Sequence, residues 1–471
     1  MPDPVLNAKP GLVGDYRRLQ RPMAGGAQPA APAAGQFGVI GDAWTSSQPQ
    51  VAPPAAMIAE VPPKKGLVRR FIDWVMSLIS PTPAPQPPVT PPAQPPVQPP
   101  VTPPVQPPVT PPAGPTPGIQ AYFNNTYAGE INGKTKAQAN AENKATSEAD
   151  ANNPDKQLTA LIDSVQAGGT LDGAFFDIGI PNVVDALIRA KQRGVTVRLV
   201  TENDYYVHSE KDQTLRDPII KLQAAGIPVI PDDNKAGLMH DKFLVVNGGT
   251  VWTGSFNITD TGAHGDNNNA LQIQSTDLAA IYEAEFKKMF EGRNFKTDKP
   301  GAEHPQAQTV NVGGAQITPY FSPSAAAQGG AQRAILNELQ NAKKVEFMAF
   351  SFADTEIAAS MQAVIDRGGT VSGVFEKSQA ASRYSVIHQM QANVPASQGR
   401  LDVRVDTNPA LMHHKVIIVD DSTLIMGSFN FSKSAQSDND ENMLVIKNAP
   451  ELVARYKEEF KRMQALSKVP S

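Results

Sequence analysis

Two histidine–lysine pairs occur in the same frame of this chain, 173 residues apart. In each copy a lysine follows the histidine by two positions, a serine by fifteen and an asparagine by seventeen. The copies are His240, Lys242, Ser255 and Asn257, and His413, Lys415, Ser428 and Asn430. A neutral imidazole is a nucleophile near neutral pH, and an imidazolium is an acid for an alkoxide leaving group. The duplicated frame therefore predicts cleavage of phosphodiesters through a covalent histidine intermediate.

The other residues of the frame suit an anionic substrate. Lys242 and Lys415 can neutralise the non-bridging oxygens of a phosphate as compact ammonium ions. The asparagine amides can add donors, and we expect the two serine hydroxyls to position the phosphate or the lysines. No spacing in the chain suggests a metal site or a cofactor motif, so we expect the reaction to need neither.

The repeat extends beyond these residues and predicts the architecture. In both halves a helical pattern precedes a short apolar strand, a second helix and a β-branched run that is typical of a buried strand. Each half also closes on a similar amphipathic helix, around Tyr282 and Tyr456. We predict an α/β fold of two similar α-β-α layered halves with mixed β-sheets, related by a pseudo-twofold axis. The first half should cover residues 119–300 and the second 301–471.

The N-terminal quarter differs in composition. Residues 1–63 are rich in Ala, Pro, Gly and Gln and are predicted to be disordered. Residues 64–80 predict a basic amphipathic helix, which would contact an anionic membrane or dock onto the protein itself. Residues 81–118 contain 19 prolines in 38 positions. This linker should be an extended spacer or, alternatively, a ligand for a partner that binds proline-rich motifs.

Bulk composition restricts partners and compartment only weakly. The chain carries a net charge of −4, and the residues after Gly118 carry 34 basic and 41 acidic side chains, a net −7. This balance argues mildly against broad electrostatic capture of nucleic acid. The absence of cysteine excludes disulfides and thiolate metal sites. Without a clear signal peptide or membrane span, a cytoplasmic or peripherally membrane-associated protein is favoured, and export stays open. A monomer is expected because both motifs lie in one chain.

The paired motifs resemble the signature of the phospholipase D superfamily, in which His-x-Lys is followed by an apolar strand and Gly-Ser-x-Asn. The resemblance covers roughly residues 120 to 465, and the second copy is also similar to the compact bacterial nucleases of that superfamily. It implies a site between the halves where one histidine attacks phosphorus and the other protonates the leaving alcohol. Water or another alcohol would then release the product.

The copies differ at two positions that bear on the mechanism. The acidic position of the family motif holds Asp420 in the second copy and Asn247 in the first, where a structural role is expected. Further on, Asn268 aligns with Glu441. The resemblance implies that this glutamate orients the histidine of its own copy. We therefore expect Glu441 to favour the imidazolium of His413 as general acid, which leaves His240 as the nucleophile. Alternatively, Asp266 would serve His240.

The substrate remains open at this level, because phospholipids and nucleic acids present the same diester. The acidic catalytic region and the amphipathic segment 64–80 favour a phospholipid, whereas the similarity to compact nucleases favours DNA or RNA. Transfer to an alcohol would need the same residues as hydrolysis. An inactive scaffold with a degenerate first half is the alternative from a different class, and the intact His and Lys pairs count against it.

Overall fold

The computed structural model describes residues 116–470, except for positions 132, 210–211, 234–235, 300–307 and 324–329. The disordered region predicted at 1–63, the helix predicted at 64–80 and nearly all of the proline-rich linker lie outside the described residues. Two mixed sheets, each with helices packed on it, form the described part.

The first sheet has seven strands in the order β1-β7-β6-β5-β2-β3-β4. Strands β2, β3 and β4 are parallel to one another, and the remaining neighbours are antiparallel. The strands are β1 Ile119–Phe123, β2 Thr170–Phe175, β3 Thr196–Thr201, β4 Val229–Pro231, β5 Lys242–Val246, β6 Thr250–Gly254 and β7 Asn269–Gln274. The helices are α1 Lys136–Ala149, α2 Pro154–Asp163, α3 Pro181–Gln192, α4 Asn203–Tyr206, α5 Asp217–Ala224, α6 Asp260–His264 and α7 Thr276–Phe290.

The second sheet has nine strands in the order β16-β12-β11-β10-β13-β14-β15-β9-β8. The strands are β8 Val310–Val312, β9 Ala315–Ser322, β10 Lys344–Ala349, β11 Thr370–Phe375, β12 Leu401–Asp406, β13 Lys415–Val419, β14 Thr423–Gly427, β15 Glu441–Lys447 and β16 Ser467–Lys468. The helices are α8 Ala331–Leu339, α9 Thr355–Asp366, α10 Lys377–Ala380, α11 Ile387–Asn393, α12 Lys433–Ser437 and α13 Pro450–Ala465. Short 3-10 turns occupy Lys296–Asp298 and Pro395–Ser397.

The two sheets repeat one topology, as the duplicated sequence predicted. Strands β1 to β7 correspond in order to β9 to β15 with β12 in the place of β4, and β8 and β16 are additions at the edges. The strand that follows each His-x-Lys histidine is buried along its whole length, with the sequences Lys-Phe-Leu-Val-Val in β5 and Lys-Val-Ile-Ile-Val in β13. Runs of β-branched residues with no polar alternation are typical of central strands covered on both faces.

The helices begin where the sequence supplies capping groups. Ser275 accepts from the Leu278 amide at the start of α7, and Asp354 accepts from the Glu356 and Ile357 amides at the start of α9. Proline stands in the first turn of α3, where its missing N–H costs nothing. No helix of the described residues is both long enough and apolar enough to cross a membrane.

One hydrophobic core is shared by the two halves. It contains side chains from both sheets together with the buried aromatic faces of α7, with Tyr282 and Phe286, and of α13, with Tyr456 and Phe460. Burying each such ring stabilises the fold by roughly 1.5–3 kcal/mol. Two further cores pack the outer helices of each half onto the other face of its own sheet. The shared core therefore fixes the two halves relative to each other, and with them the strands that carry the histidines.

Candidate active site

Backbone hydrogen bonds join the two histidine motifs across the halves. The His240 amide donates to the Asp440 carbonyl at 2.9 Å, and the Asp440 amide donates to the Leu238 carbonyl at 2.8 Å. In the other direction, the His413 amide donates to the Asn267 carbonyl at 2.9 Å, and the Asn267 amide to the Leu411 carbonyl at 2.8 Å. Each histidine segment is thus paired with the segment that leads into β7 or β15 of the opposite half.

Glu441 orients His240, not His413. The His240 Nδ1 lies 2.7 Å from Glu441 Oε2, and the Ser428 hydroxyl donates to the same oxygen at 2.7 Å. The Asn439 amide donates to the second carboxylate oxygen at 3.2 Å. The ring is thereby held with Nδ1 toward the carboxylate, which leaves Nε2 for a substrate.

Asn268 has the corresponding role for His413. Its side-chain oxygen lies 2.9 Å from His413 Nδ1 and accepts from the Ser255 hydroxyl at 2.9 Å. Its amide nitrogen donates to the Gly262 carbonyl at 3.0 Å. Because this oxygen can only accept, His413 carries a proton on Nδ1, and its Nε2 is the atom that gains or loses a proton during a reaction.

The expected pairing of Glu441 with the histidine of its own copy is therefore wrong. The alternative that Asp266 serves His240 is also wrong, because its carboxylate accepts from the Leu411 amide at 3.1 Å, beside the second motif. Both errors have one physical cause. The strands β7 and β15 begin where the chain crosses toward the opposite half, so each histidine receives its partner from the other copy.

The two lysines occupy equivalent buried positions. Lys242 Nζ donates to the His240 carbonyl at 2.7 Å, and Lys415 Nζ donates to the His413 carbonyl at 2.8 Å. Each ammonium also lies over a phenylalanine ring, at 4.9 Å from the centroid of Phe176 and 4.7 Å from that of Phe350. Sequence reasoning missed these rings as site residues, although both lie directly after the strands β2 and β10 that the pattern located.

The same phenylalanines contact the histidines. The ring centroids of Phe176 and His240 are 4.9 Å apart, and those of Phe350 and His413 are 4.7 Å apart, both in edge-to-face geometry. Histidine, lysine and phenylalanine therefore form the same unit twice, and the only signal in the sequence was the repeat of a Phe after each strand.

The remaining predicted residues lie in the expected elements, with one change of contact. Ser255 and Ser428 donate to the histidine partners and accept the amides of Asn269 and Asn442 at 3.0 Å, so their partners are not the lysines. Within the described residues, the side-chain oxygens of Asn257 and Asn430 are buried and have no hydrogen-bond partner.

Asn247 and Asp420 both lie in turns at the ends of β5 and β13, with φ of 51°. Asn247 accepts from the Thr170 amide at 2.9 Å, and Asp420 accepts from the Lys343 and Lys344 amides at 2.8 Å. These contacts tie each turn to the start of the neighbouring strand. Asn and Asp are the residues that best tolerate this left-handed conformation.

Burial and mutual repulsion dominate the electrostatics of the centre. Burial, with the charges of Lys242 and Lys415, holds the pKa of His240 well below its usual range, and burial with the same lysines and His240 lowers that of His413. Burial lowers the pKa of Lys242 to about 7 and that of Lys415 well below normal. Burial raises the pKa of Glu441 to about 7, against the opposing charge of Lys242. A centre in which cations disfavour one another is prepared to bind an anion.

The histidines and lysines of the centre are nearly buried. His240 and His413 expose only 5% and 4% of their surface, and both lysines expose 1%. His414, between the motif residues, is fully buried on the other side, where its Nε2 lies 3.0 Å from Glu459 Oε1.

This arrangement agrees with a comparison of the sequence with known families. The pattern of the family described as "Cardiolipin synthase, PLD-like domain" matches residues 160–290 and 335–464, which together are more than half of the chain. The chain therefore belongs to the phospholipase D-like family, with one copy of the domain in each half.

Two curated relatives are similar over part of their length. A phospholipase D of Rickettsia typhi is 30% identical over 133 residues, which are 28% of this chain and 60% of that protein. A mitochondrial cardiolipin hydrolase of Xenopus laevis is 32% identical over 131 residues, which are 28% of this chain and 59% of that protein. The matches thus span about three fifths of these relatives.

A solved structure supports the fold across both halves. The phosphatidylserine synthase of Haemophilus influenzae Rd KW20 superposes with a TM-score of 0.53 at 14% identity, over 67% of this chain and 85% of that protein. At this identity the similarity shows the shared architecture of two mixed-sheet halves.

Proposed function

We propose that this protein is a metal-independent phosphodiesterase that acts on phospholipids in the manner of a phospholipase D, through a covalent phosphohistidine. The observation that carries the proposal is the reciprocal pairing of the two histidines. His240 is held by Glu441 of the other half and His413 by Asn268 of the other half, in one centre with Lys242 and Lys415.

The reaction then runs in two balanced steps. His240 Nε2 attacks phosphorus, the bond from phosphorus to the leaving alcohol oxygen breaks, and the His413 imidazolium gives that oxygen its Nε2 proton. Neutral His413 next takes a proton from water, the water oxygen attacks phosphorus, and the bond to His240 breaks. An alcohol in place of water would give transfer instead of hydrolysis.

His240 remains the proposed nucleophile, but the reason expected from the sequence does not hold, because the Glu441 carboxylate lies on His240 and not on His413. The corrected pairing supplies a different reason. Attack by Nε2 leaves positive charge on the ring, and the Glu441 carboxylate at 2.7 Å from Nδ1 stabilises that charge as it develops. Asn268 orients His413 without a charge, so the His413 imidazolium is the stronger acid of the two.

The lysines and asparagines provide the phosphate site. A bound diester adds negative charge beside the cations, so it favours the ammonium forms of Lys242 and Lys415 and the imidazolium of His413. The amides of Asn257 and Asn430, whose oxygens have no partner among the described residues, are available to turn a donor toward a phosphate oxygen.

Phospholipid is the leading substrate. The relatives named as a phospholipase D and a cardiolipin hydrolase support it. The net charge of −7 on the residues after Gly118 supports it as well, because an acidic region argues mildly against broad electrostatic capture of nucleic acid.

Hydrolysis assays with two histidine variants test the proposal. The full chain, in the presence of a chelator, is incubated with bis(4-nitrophenyl) phosphate, with phospholipid vesicles, and with single- and double-stranded DNA. We expect release of nitrophenol and of lipid headgroup, and loss of both in His240→Ala and His413→Ala. The exposed His388 gives the matched control, His388→Ala, which should retain full activity. Cleavage of DNA but not lipid would show that the substrate is nucleic acid and not phospholipid. No cleavage of any diester would favour an inactive scaffold.

A further inference from the structure

The two halves of the centre are alike at histidine, lysine and phenylalanine but differ at the next residue outward. The register of β2 and β10 places Asp177 where the second half has Ser351. Tyr205, in the short helix α4 after β3, stands where the second half has Gln379. The residues next to the centre therefore differ between the first half and the second half.

A line of aromatic contacts leads outward from His240. The ring of Phe176 lies 4.9 Å from that of His240, and the ring of Tyr205 lies 4.8 Å from that of Phe176. The Arg216 guanidinium lies over the Tyr205 ring at 4.9 Å, and its Nε donates to the Val207 carbonyl at 3.1 Å. These contacts fix a phenol and a guanidinium beside the first-half wall of the centre.

Two polar groups on this wall can form further hydrogen bonds. In the described part of the chain, neither the Asp177 carboxylate nor the Tyr205 hydroxyl is hydrogen-bonded to another side chain, and the carboxylate accepts from the Ile178 backbone amide. Both residues are partly buried. Burial raises the pKa of Asp177 to about 6, and the charges of Arg216 and Lys242 oppose that rise, so the carboxylate feels the field of both cations.

We propose that Asp177, Tyr205 and Arg216 form a subsite that binds a neutral, hydroxylated alcohol group attached to the substrate phosphate. The inference rests on the proposed function, since it places the phosphate between the two histidines. The subsite makes the first-half side of the centre selective for this alcohol group. The second half has Ser351 and Gln379 at the positions of Asp177 and Tyr205.

The donor and acceptor types define the ligand. A carboxylate accepts hydrogen bonds from hydroxyls, while the phenol and the guanidinium donate to them. The charges of Asp177 and Arg216 offset each other, so the wall has no net field for a cation. A quaternary ammonium group has no N–H or O–H to donate to the Asp177 carboxylate. Vicinal hydroxyls, as in a glycerol group or a ribose, satisfy all three side chains.

Binding of two matched phosphates to the full chain tests the subsite without turnover. Glycerol 3-phosphate and n-propyl phosphate have the same charge and nearly the same size, and only the first has hydroxyls. We expect glycerol 3-phosphate to bind about tenfold more tightly by calorimetry, the effect of one or two hydrogen bonds to a charged group. Asp177→Asn and Tyr205→Phe should bring the ratio of the two affinities close to one, whereas Ser351→Ala should leave it unchanged.

The outcomes are separable from those of the proposed function. Equal binding of both phosphates to the wild type, or a ratio that Asp177→Asn leaves intact, overturns the subsite even when bis(4-nitrophenyl) phosphate is cleaved. Failure to cleave that diester refutes the proposed phosphodiesterase function. If neither phosphate binds either, the proposed subsite is refuted as well. Because bis(4-nitrophenyl) phosphate has no hydroxyl, its cleavage reports on the histidines alone.

Two substrate pairs then distinguish the source of the hydroxyls. Vesicles of phosphatidylglycerol are compared with vesicles of phosphatidylcholine, and a ribonucleotide dimer with its deoxyribonucleotide counterpart. A preference for phosphatidylglycerol that Asp177→Asn abolishes assigns the subsite to a lipid headgroup. A preference for the ribonucleotide dimer that the same variant abolishes assigns it to a ribose. The absence of preference in both pairs contradicts the inference.

Discussion

At the scale of single residues, one difference between the copies separates the two histidines. Both rings are held through Nδ1 by a side chain that also accepts from a serine, but one partner is the carboxylate of Glu441 and the other the amide of Asn268. The two contacts between histidine and partner have the same geometry, but only the Glu441 partner is charged. A charge difference between otherwise equal sites is enough to give two imidazoles different roles.

Removal of the Glu441 charge should therefore slow the chemical step. In Glu441→Gln the side chain keeps its shape and can still accept from His240 and Ser428, but it no longer stabilises the charged ring. We expect kcat to fall about 10–100-fold with little change in KM, as for other partners of active-site histidines. Kinetics on bis(4-nitrophenyl) phosphate check this, with the exposed Glu356→Gln as the control. A rise in KM at constant kcat would contradict the role.

The buried lysines predict a pH dependence of anion binding. Since burial lowers the pKa of Lys242 to about 7, the empty site loses this cation as pH rises through 7. A bound anion restores the ammonium form, so binding takes up a proton and strengthens as pH falls through 7. Above pH 7 the affinity for sulfate should drop by up to about tenfold per pH unit for one linked proton.

Calorimetric titration with sulfate between pH 6 and 9 measures this effect, because sulfate itself keeps its charge over that range. Lys242→Arg, whose guanidinium stays protonated, should flatten the profile. Lys343→Arg, at an exposed position, should leave the profile unchanged. An affinity that is independent of pH in the wild type would show that Lys242 does not titrate in this range.

At the scale of elements, the glycine of each Gly-Ser-x-Asn motif is required by close strand packing. Gly254 ends β6, and a Cβ there would overlap the carbonyl oxygen of Asn269 in β7. Gly427 ends β14 and has the same relation to the carbonyl of Asn442 in β15. The strands that carry the histidine partners can thus approach only because these positions lack a side chain.

Substitution of this glycine should damage both stability and activity. Gly254→Ala must push β7 away from β6, and overpacking of this kind costs about 1–3 kcal/mol. The same shift moves Asn268 from His413, so we expect activity to fall further than the loss of folded protein explains. Gly249→Ala, at the other end of β6, meets only ordinary contacts and is the matched control. Denaturant unfolding and specific activity, measured on the same samples, test both expected losses. A stable, fully active Gly254→Ala would refute the packing argument.

The sequence predicted these elements well because their signals are local. Periodicity and repeat spacing located the second helix of each half, α3 and α9, the β-branched runs of β3 and β11, and the duplicated histidine strands. The partners of the histidines were not, since Glu441 and Asn268 act on the opposite copy. Each histidine receives its partner from the other copy because the chain crosses between the halves before β7 and β15, and no local sequence pattern encodes this crossing.

At the scale of the whole molecule, the shared core makes the centre a property of both halves together. Helices α7 and α13 contribute buried aromatic rings to one core that includes side chains from both sheets. Within this core Tyr282 contacts Phe321 of the second half, and Tyr456 contacts Phe123 of the first half. The two similar halves that the repeat predicted thus share one core in the described residues.

Thermal unfolding of the full chain should therefore show one transition for both halves. Calorimetry is expected to give a single peak whose calorimetric and van't Hoff enthalpies agree. Tyr456→Ala, in the second half of the shared core, should lower the stability of the entire body by about 3–5 kcal/mol rather than split the peak. Two separate transitions in the wild type would show that the halves fold independently.

The measurement that tests the central claim most directly is the identification of the covalent intermediate. The full chain is mixed with a labelled diester, quenched within one turnover at alkaline pH to preserve phosphohistidine, and digested for mass spectrometry. We predict a phosphoryl group on His240 of the wild type and none in His240→Ala. Phosphate on His413 in the wild type, or turnover with no phosphohistidine on either residue, would contradict the account.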